Sequence, residues 1–158
     1  MTRDEFFMNE ALIQARKAKK CFEVPIGAVI VRHGKIIAKA HNTRETDKSP
    51  LAHAEILAIE KAAYELQGWR LTHCEIYVTL EPCLMCAGAI YQGRIDRLIY
   101  GATDLKAGAV RSLFNVLDEP KLNHKVEIVS DVLKENCQSI ISDFFKKLRQ
   151  EKKEGKSN

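Results

Sequence analysis

A chain of 158 residues, 46% hydrophobic and 29% charged, has the size of one ordinary domain and the composition of a soluble globular protein with a sizeable core. No apolar run approaches the ~20 residues of a membrane span, which excludes a transmembrane helix. The net charge of +4 is concentrated at one end. From Lys146 onward, six basic residues (Lys146, Lys147, Arg149, Lys152, Lys153, Lys156) face two acidic ones (Glu151, Glu154), so the tail carries the whole surplus. Such an end suits a polyanionic partner or is a solvated helix end, and charge alone leaves the two readings open. Five cysteines, an odd number, without a signal-peptide pattern lead us to expect a reducing compartment, the cytoplasm, and no disulfides.

Taken in order, residues 2–20 carry Phe7, Ala11, Leu12, Ala15 and Ala18 at helical spacing. Two partly β-branched runs, 26–33 and 35–41, meet at His33-Gly34 and predict a hairpin. Residues 42–49 are polar and form a loop. Ser49-Pro50 has the form of a helix cap followed by a first-turn proline. The helix it predicts reaches Gln67, with Ile56, Ile59, Ala63 and Leu66 as its buried stripe and Gly68 as its stop. His53 and Glu55 then lie in its first turn. A strand at 75–80 leads to a helix opened by Cys83 and ended near Gly93, then a strand at 95–101. The loop at 102–109 precedes a short helical turn at 112–116 and a strand at 125–129. A last helix, 131–153, is expected to bury Leu133, Cys137, Ile140, Ile141, Phe144 and Leu148. Alternation of strand and helix implies parallel pairing, with the two chemistry-bearing helix starts at the carboxyl ends of strands, where open α/β sheets gather their sites. No repeat or linker interrupts the chain, and 1–158 is expected to be a single domain.

Two stretches carry the chemistry. Cys83 and Cys86 lie three apart on a helix start, where sulfurs face one side and the dipole favours thiolates. His53 offers an imidazole from a second helix start. Three protein ligands leave the fourth position of a zinc ion for water, the pattern of a catalytic site. A lone C-x-x-C is otherwise a redox dithiol or half of a structural zinc site, but a redox pair needs no histidine and glutamate at fixed spacing. A structural site needs a fourth ligand, and the chain has no second C-x-x-C or H-x₃₋₅-H. Cys21, Cys74 and Cys137 are isolated and are expected to be small core residues.

His53-Ala54-Glu55 with Pro82-Cys83-Leu84-Met85-Cys86 resembles the H-x-E … P-C-x-x-C signature of zinc-dependent base deaminases. The flanking segments resemble bacterial tRNA-specific adenosine deaminases, within the cytidine/deoxycytidylate deaminase superfamily. They are Val24-Pro25-Ile26-Gly27-Ala28-Val29, Leu51-Ala52, Thr79-Leu80-Glu81, Ala87-Gly88-Ala89, Asn123-His124-Lys125-Val126-Glu127-Ile128 and Asp143-Phe144-Phe145-Lys146-Lys147-Leu148-Arg149. The likeness is nearly collinear from Asp4 to Lys153. Arg111, before Ser112-Leu113, stands where these enzymes usually carry glycine.

The resemblance implies a three-layer α/β/α, cytidine-deaminase-like fold around a five-stranded mixed sheet. It implies a homodimer, one Zn²⁺ per chain held by His53, Cys83 and Cys86, and conversion of the wobble adenosine of a tRNA anticodon stem-loop to inosine with release of ammonia. Glu55, not a ligand, would shuttle protons between water and base, the metal lowering the water pKa towards ~7. Asn42 resembles the family's asparagine on the target nucleoside, although a turn role suits it equally on sequence. Asp104 matches an aspartate facing the neighbouring sugar, and Lys106 and Arg149 are matched to phosphate contacts. Phe144 is matched to a residue near the substrate, whereas its periodicity continues the buried stripe. Phe145 is its neighbour, so one of the pair can be core and the other can stack on a base. The alternatives are a free-base or nucleoside deaminase of guanine or cytidine type, and a zinc-stabilised RNA-binding module or inactive partner subunit.

Overall fold

In the computed structural model, which describes residues 1–155, the chain runs α1 (Arg3–Lys20), β1 (Gly27–Arg32), β2 (Lys35–His41), α2 (Ala54–Leu66), β3 (Cys74–Leu80), α3 (Leu84–Gln92), β4 (Arg97–Ala102), β5 (Glu127–Val129) and α4 (Lys134–Lys153). Lys156 and the chain end at 158, parts of the expected tail and domain, lie outside the described residues. The strands form one sheet in the order β2-β1-β3-β4-β5. β1 is antiparallel to both β2 and β3, and β3, β4 and β5 are parallel. This is the expected α/β fold with a five-stranded mixed sheet.

Alternation along the strands makes the three layers. Ala28, Ile30, Ile76, Val78, Leu98 and Tyr100 pack on one face against Ala54, Ala58 and Ala62 of α2 and Ala87 and Ile90 of α3. Val29, Val31, Tyr77 and Ile99 pack on the other against Phe7, Met8, Ala11 and Leu12 of α1 and Cys137 of α4. α1 starts in a capping box: the Thr2 hydroxyl accepts from the Glu5 N–H at 3.1 Å, and the Glu5 carboxylate accepts from the Thr2 N–H at 2.8 Å. It lies so close to β1 that a Cβ at Gly27 would sit 2.0 Å from the Ala11 carbonyl oxygen, a rigid backbone atom. Gly27→Ala is therefore expected to cost at least roughly 1–3 kcal/mol. A denaturant midpoint equal to wild type would show that α1 can lift off the sheet at no cost.

At the amino-terminal ends of β3 and β4, Arg97 bonds to Glu75, to Asp4 (3.1 Å) and to Glu127, while the Tyr77 hydroxyl donates to Asp4 at 2.7 Å. This network ties α1 to three strands at the end of the sheet away from the helix starts that matter below.

Several expected boundaries move, each for a physical reason. The hairpin turn is His33-Gly34 as expected, both in the left-handed region with φ of 51° and 76°. Ser49-Pro50 does not cap α2. The Ser49 hydroxyl accepts from the Leu51 N–H and its carbonyl from the Ala52 N–H, which closes a turn, and the helix begins only at Ala54. The fully buried row of α2 is Ala54, Ala58 and Ala62; Ile56, Ile59, Ala63 and Leu66 are half-buried flanks. Small residues at the contact line let the helix approach the sheet closely. Gln67, with φ 56°, takes the left-handed end position assigned to Gly68.

The short helical turn lies at Val116–Asp118 rather than 112–116, because the donors of residues 110–112 are engaged elsewhere. α4 starts at Lys134, after Asp131 and Leu133 in left-handed conformations. Of its expected stripe only Cys137 is fully buried. Leu133 and Ile140 are half-buried against the core cluster, and Ile141, Phe144 and Leu148 are half-buried farther along the helix. Cys74 and Cys137 are core residues as expected, whereas Cys21 is exposed at the end of α1.

Candidate active site

β2, β3 and β4 point the same way and β1 runs against them, so the ends of β2, β3 and β4 and the start of β1 meet at one edge of the sheet. His53 is the N-cap of α2 and Cys83 the N-cap of α3, both with extended backbone (ψ 152° and 179°). N-cap positions usually hold short polar side chains folded back onto the helix. Neither His53 nor Cys83 caps with its side chain, so both donor atoms project away from their helices, towards each other. Cys86, in the first turn of α3, is fully buried behind them.

The His53 Nδ1 lies 3.6 Å from the Cys83 Sγ and 3.5 Å from the Cys86 Sγ, and the three donor atoms lie within 4.8 Å of one another. Zinc bonds of ~2.0–2.1 Å to nitrogen and ~2.3 Å to sulfur at a tetrahedral angle put N and S about 3.6 Å apart. The observed spacing of the three donors fits that ion. Hydrogen bonds from Cys86 and then His53 draw the Cys83 thiol down to about 4, and the bond to Cys83 pushes Cys86 up. The bond to Cys83 raises His53. Glu55, in the first turn of α2, is only 4% exposed, and burial pushes its carboxyl up to about 7.

A cavity of about 740 Å³ opens over these groups. His53, Cys83 and Glu55 lie at its floor, and Asn42, Asp104, Lys106 and Arg149 also line it. The structure thus brings together all the expected site residues but one, counting Cys86 behind the floor. Phe144 does not line the cavity; Phe145 does. The two rings meet edge-on with centroids 5.4 Å apart, so Phe144 backs the ring that faces the opening. Phe144 itself is half-buried. Asn42 serves the turn and also lines the cavity. Its Nδ2 donates to the Val24 carbonyl (3.2 Å) and its Oδ1 accepts from the Arg44 N–H (3.0 Å), which shapes the turn and leaves one N–H for a ligand. The Asp104 Oδ1 accepts from the Lys106 and Ala107 N–H groups, leaving Oδ2 for the cavity.

Sequence reading passed over Arg44, a second guanidinium on the rim, and the buried carboxylates Glu23 and Glu81. Proximity to Asn42 was the available signal for Arg44. Arg111 causes no strain where glycine was expected, since no residue of its loop has a left-handed backbone.

A family model described as MafB19-like deaminase matches residues 2–149. The tRNA-specific adenosine deaminase of Bacillus subtilis (strain 168) is 49% identical over 158 residues, covering 100% of this chain and 98% of that protein. That of Aquifex aeolicus (strain VF5) is 50% identical over 145 residues, covering 92% and 95%. The chain belongs to the tRNA-specific adenosine deaminase family. A solved structure described under "A-to-I Editing by tRNA:A34 Deaminases at the Wobble Position of Transfer RNA" superposes with a TM-score of 0.82 at 43% identity, covering 85% of this chain and 98% of that one. These likenesses favour the tRNA branch of the deaminases over the guanine and cytidine types. No helix among the described residues is long and apolar enough to cross a membrane.

Proposed function

We propose that this deaminase converts the wobble adenosine of a tRNA anticodon stem-loop to inosine, using one zinc ion per chain held by His53, Cys83 and Cys86. The observation that carries the reading is the triangle of donor atoms at tetrahedral zinc spacing beside the buried Glu55, in a chain of this family. Bound zinc supplies Lewis acidity that lets water attack at neutral pH. Glu55 takes a proton from the attacking water and gives it to the ring nitrogen N1; a further proton goes through Glu55 to the departing amine. Water plus adenosine thus become inosine plus ammonia. The remaining Asn42 N–H orients the base, and the Asp104 Oδ2 accepts from a ribose hydroxyl, a contact DNA does not offer. Phe145 offers a ring for stacking. Lys106 and Arg149 contact phosphates.

The test is product analysis by mass spectrometry with an adenosine-34 stem-loop, adenosine, guanine and cytidine offered separately. Inosine formed from the stem-loop supports the reading. Turnover of guanine or cytidine without turnover of the stem-loop overturns it.

The chain acts as a single domain, as a homodimer in the cytoplasm. A monomeric mass in solution would refute the homodimer. All five cysteines are free, which suits a reducing compartment; fractionation of cells checks the location.

Lys146, Lys147, Arg149, Lys152 and Lys153 are exposed on the last turns of α4, continuous with the Arg149 side of the cavity. Deleting the segment after Arg149 is expected to weaken stem-loop binding without loss of zinc, since it removes no site residue. Each lost phosphate contact lowers the slope of log K against log salt by about 0.7–0.9. Equal affinity and equal slope in the truncated protein would make the tail a solvated helix end.

A further inference from the structure

The chemistry leaves two buried carboxylates, Glu23 and Glu81, without a task. Glu81 follows β3, two residues before Cys83, and is 2% exposed. Among the described residues no lysine or arginine pairs with it. It accepts four hydrogen bonds instead. Its Oε1 takes the Asp104 N–H (3.1 Å) and the Ser112 hydroxyl; its Oε2 takes the N–H groups of Val110 (3.1 Å) and Arg111 (2.8 Å).

All four donors belong to one segment, residues 104–112, which carries Asp104 and Lys106 to the rim of the cavity. That segment closes around the carboxylate so tightly that a Cβ on Gly108 would lie 2.4 Å from the Glu81 carboxyl carbon. From there the bonding passes outward: the Asp104 main chain is held by Glu81, and the Asp104 Oδ1 holds the Lys106 and Ala107 N–H groups. A buried carboxylate is stable only with such donors, and donors of this kind are stronger when the acceptor is charged. Apart from the Glu81 carboxylate, the segment is fastened near the site by the Ala109 N–H, which donates to the Pro82 carbonyl at 2.9 Å.

We propose that Glu81 is a positioning residue for RNA recognition: it holds Asp104 and Lys106 at the rim, and so sets how tightly the stem-loop binds rather than how fast the base reacts. The proposal rests on the reading of the cavity as a tRNA site. It also links the short stretch between β3 and Cys83 to the loop that meets the RNA.

Glu81→Gln tests it, because glutamine keeps the shape but turns one acceptor into an NH₂ group facing two donors. The zinc-loaded variant is expected to keep its zinc and a kcat within about threefold of wild type, with KM for the stem-loop raised about tenfold or more. In an Asp104→Ala/Lys106→Ala background the same change should add little, since a residue acting through those two has nothing left to position. Independently of substrate, the amides of residues 104, 110 and 111 should exchange with solvent about tenfold faster or more in the variant than in zinc-loaded wild type.

If Glu81→Gln does not accumulate as folded protein, Ser112→Ala, which removes a single donor, should move KM and exchange the same way by less. Unchanged KM, a loss confined to kcat, or a KM effect fully additive with the Asp104/Lys106 changes overturns the proposal. A wild-type enzyme inactive on the stem-loop overturns the functional reading instead, and the exchange comparison then still decides whether Glu81 holds the loop.

Discussion

Glu55→Ala is expected to lower kcat on the stem-loop by at least ~10²–10⁴-fold, the usual worth of a positioned acid–base group. The loss should lie at the high end, because one carboxylate serves both the attack on the ring and the departure of ammonia. Zinc content should stay at that of wild type, since His53, Cys83 and Cys86 are untouched. The fold should hold as well: among the described residues Glu55 makes no ion pair, and alanine suits the first turn of a helix whose buried row is already alanine. KM should change little, because the groups assigned to hold the RNA line the walls of the cavity rather than its floor. The measurement is single-turnover kinetics on the stem-loop together with zinc analysis of the same sample. Near wild-type turnover would remove Glu55 from the proton path, and loss of zinc would make it a structural residue.

What could be read from the sequence was what depends on short-range pattern. The floor of the site rests on His53, Glu55, Cys83 and Cys86, whose spacing and helix-start positions are local, and the structure brings them together. The apolar row of α1 and the His33-Gly34 turn are local in the same sense. The start of α2 was misread for a definite reason: Ser49-Pro50 has the chemistry of a helix start, but Ser49 uses it to close a turn that lets His53 stand at the cap with its ring free.

Long-range bonding was out of reach. Glu81 stands inside a recognisable motif, yet its partners lie 23 to 31 residues away and most are main-chain amides, which carry no side-chain signature. Glu23 is similar: its carboxylate takes the Glu45 and Thr46 N–H groups and the Thr46 hydroxyl, tying down the loop on the other side of the cavity. Burial raises its pKa, but the Thr46 hydroxyl and those amides outweigh burial and leave it lowered. The depth of α4 was also misjudged, since its periodicity tells which side faces the protein and not how far the sheet extends beneath it.

Cys83→Ala is expected to bring zinc well below one per chain and to abolish measurable deamination. Two remaining donors, His53 and Cys86, give the ion half of a tetrahedral shell in a site whose fit depends on three. Because the folded donor set would bind zinc far better than the unfolded chain, the variant should also lose the stabilisation that zinc gives wild type. At free zinc 100-fold above its dissociation constant that amounts to about 2.7 kcal/mol. Added zinc should therefore raise the melting temperature of metal-stripped wild type and hardly move that of Cys83→Ala. Cys74→Ala and Cys137→Ala are the controls. Both residues are buried cysteines, but they lie in the core, outside the donor cluster. Each should lose some stability through packing, about 1 kcal/mol for a small cavity, and retain full zinc. Elemental analysis of the four proteins, purified side by side, separates the cases. Stoichiometric zinc in Cys83→Ala would place the ion elsewhere, and loss of zinc in Cys74→Ala or Cys137→Ala would mean that the metal depends on the core rather than on the two helix starts.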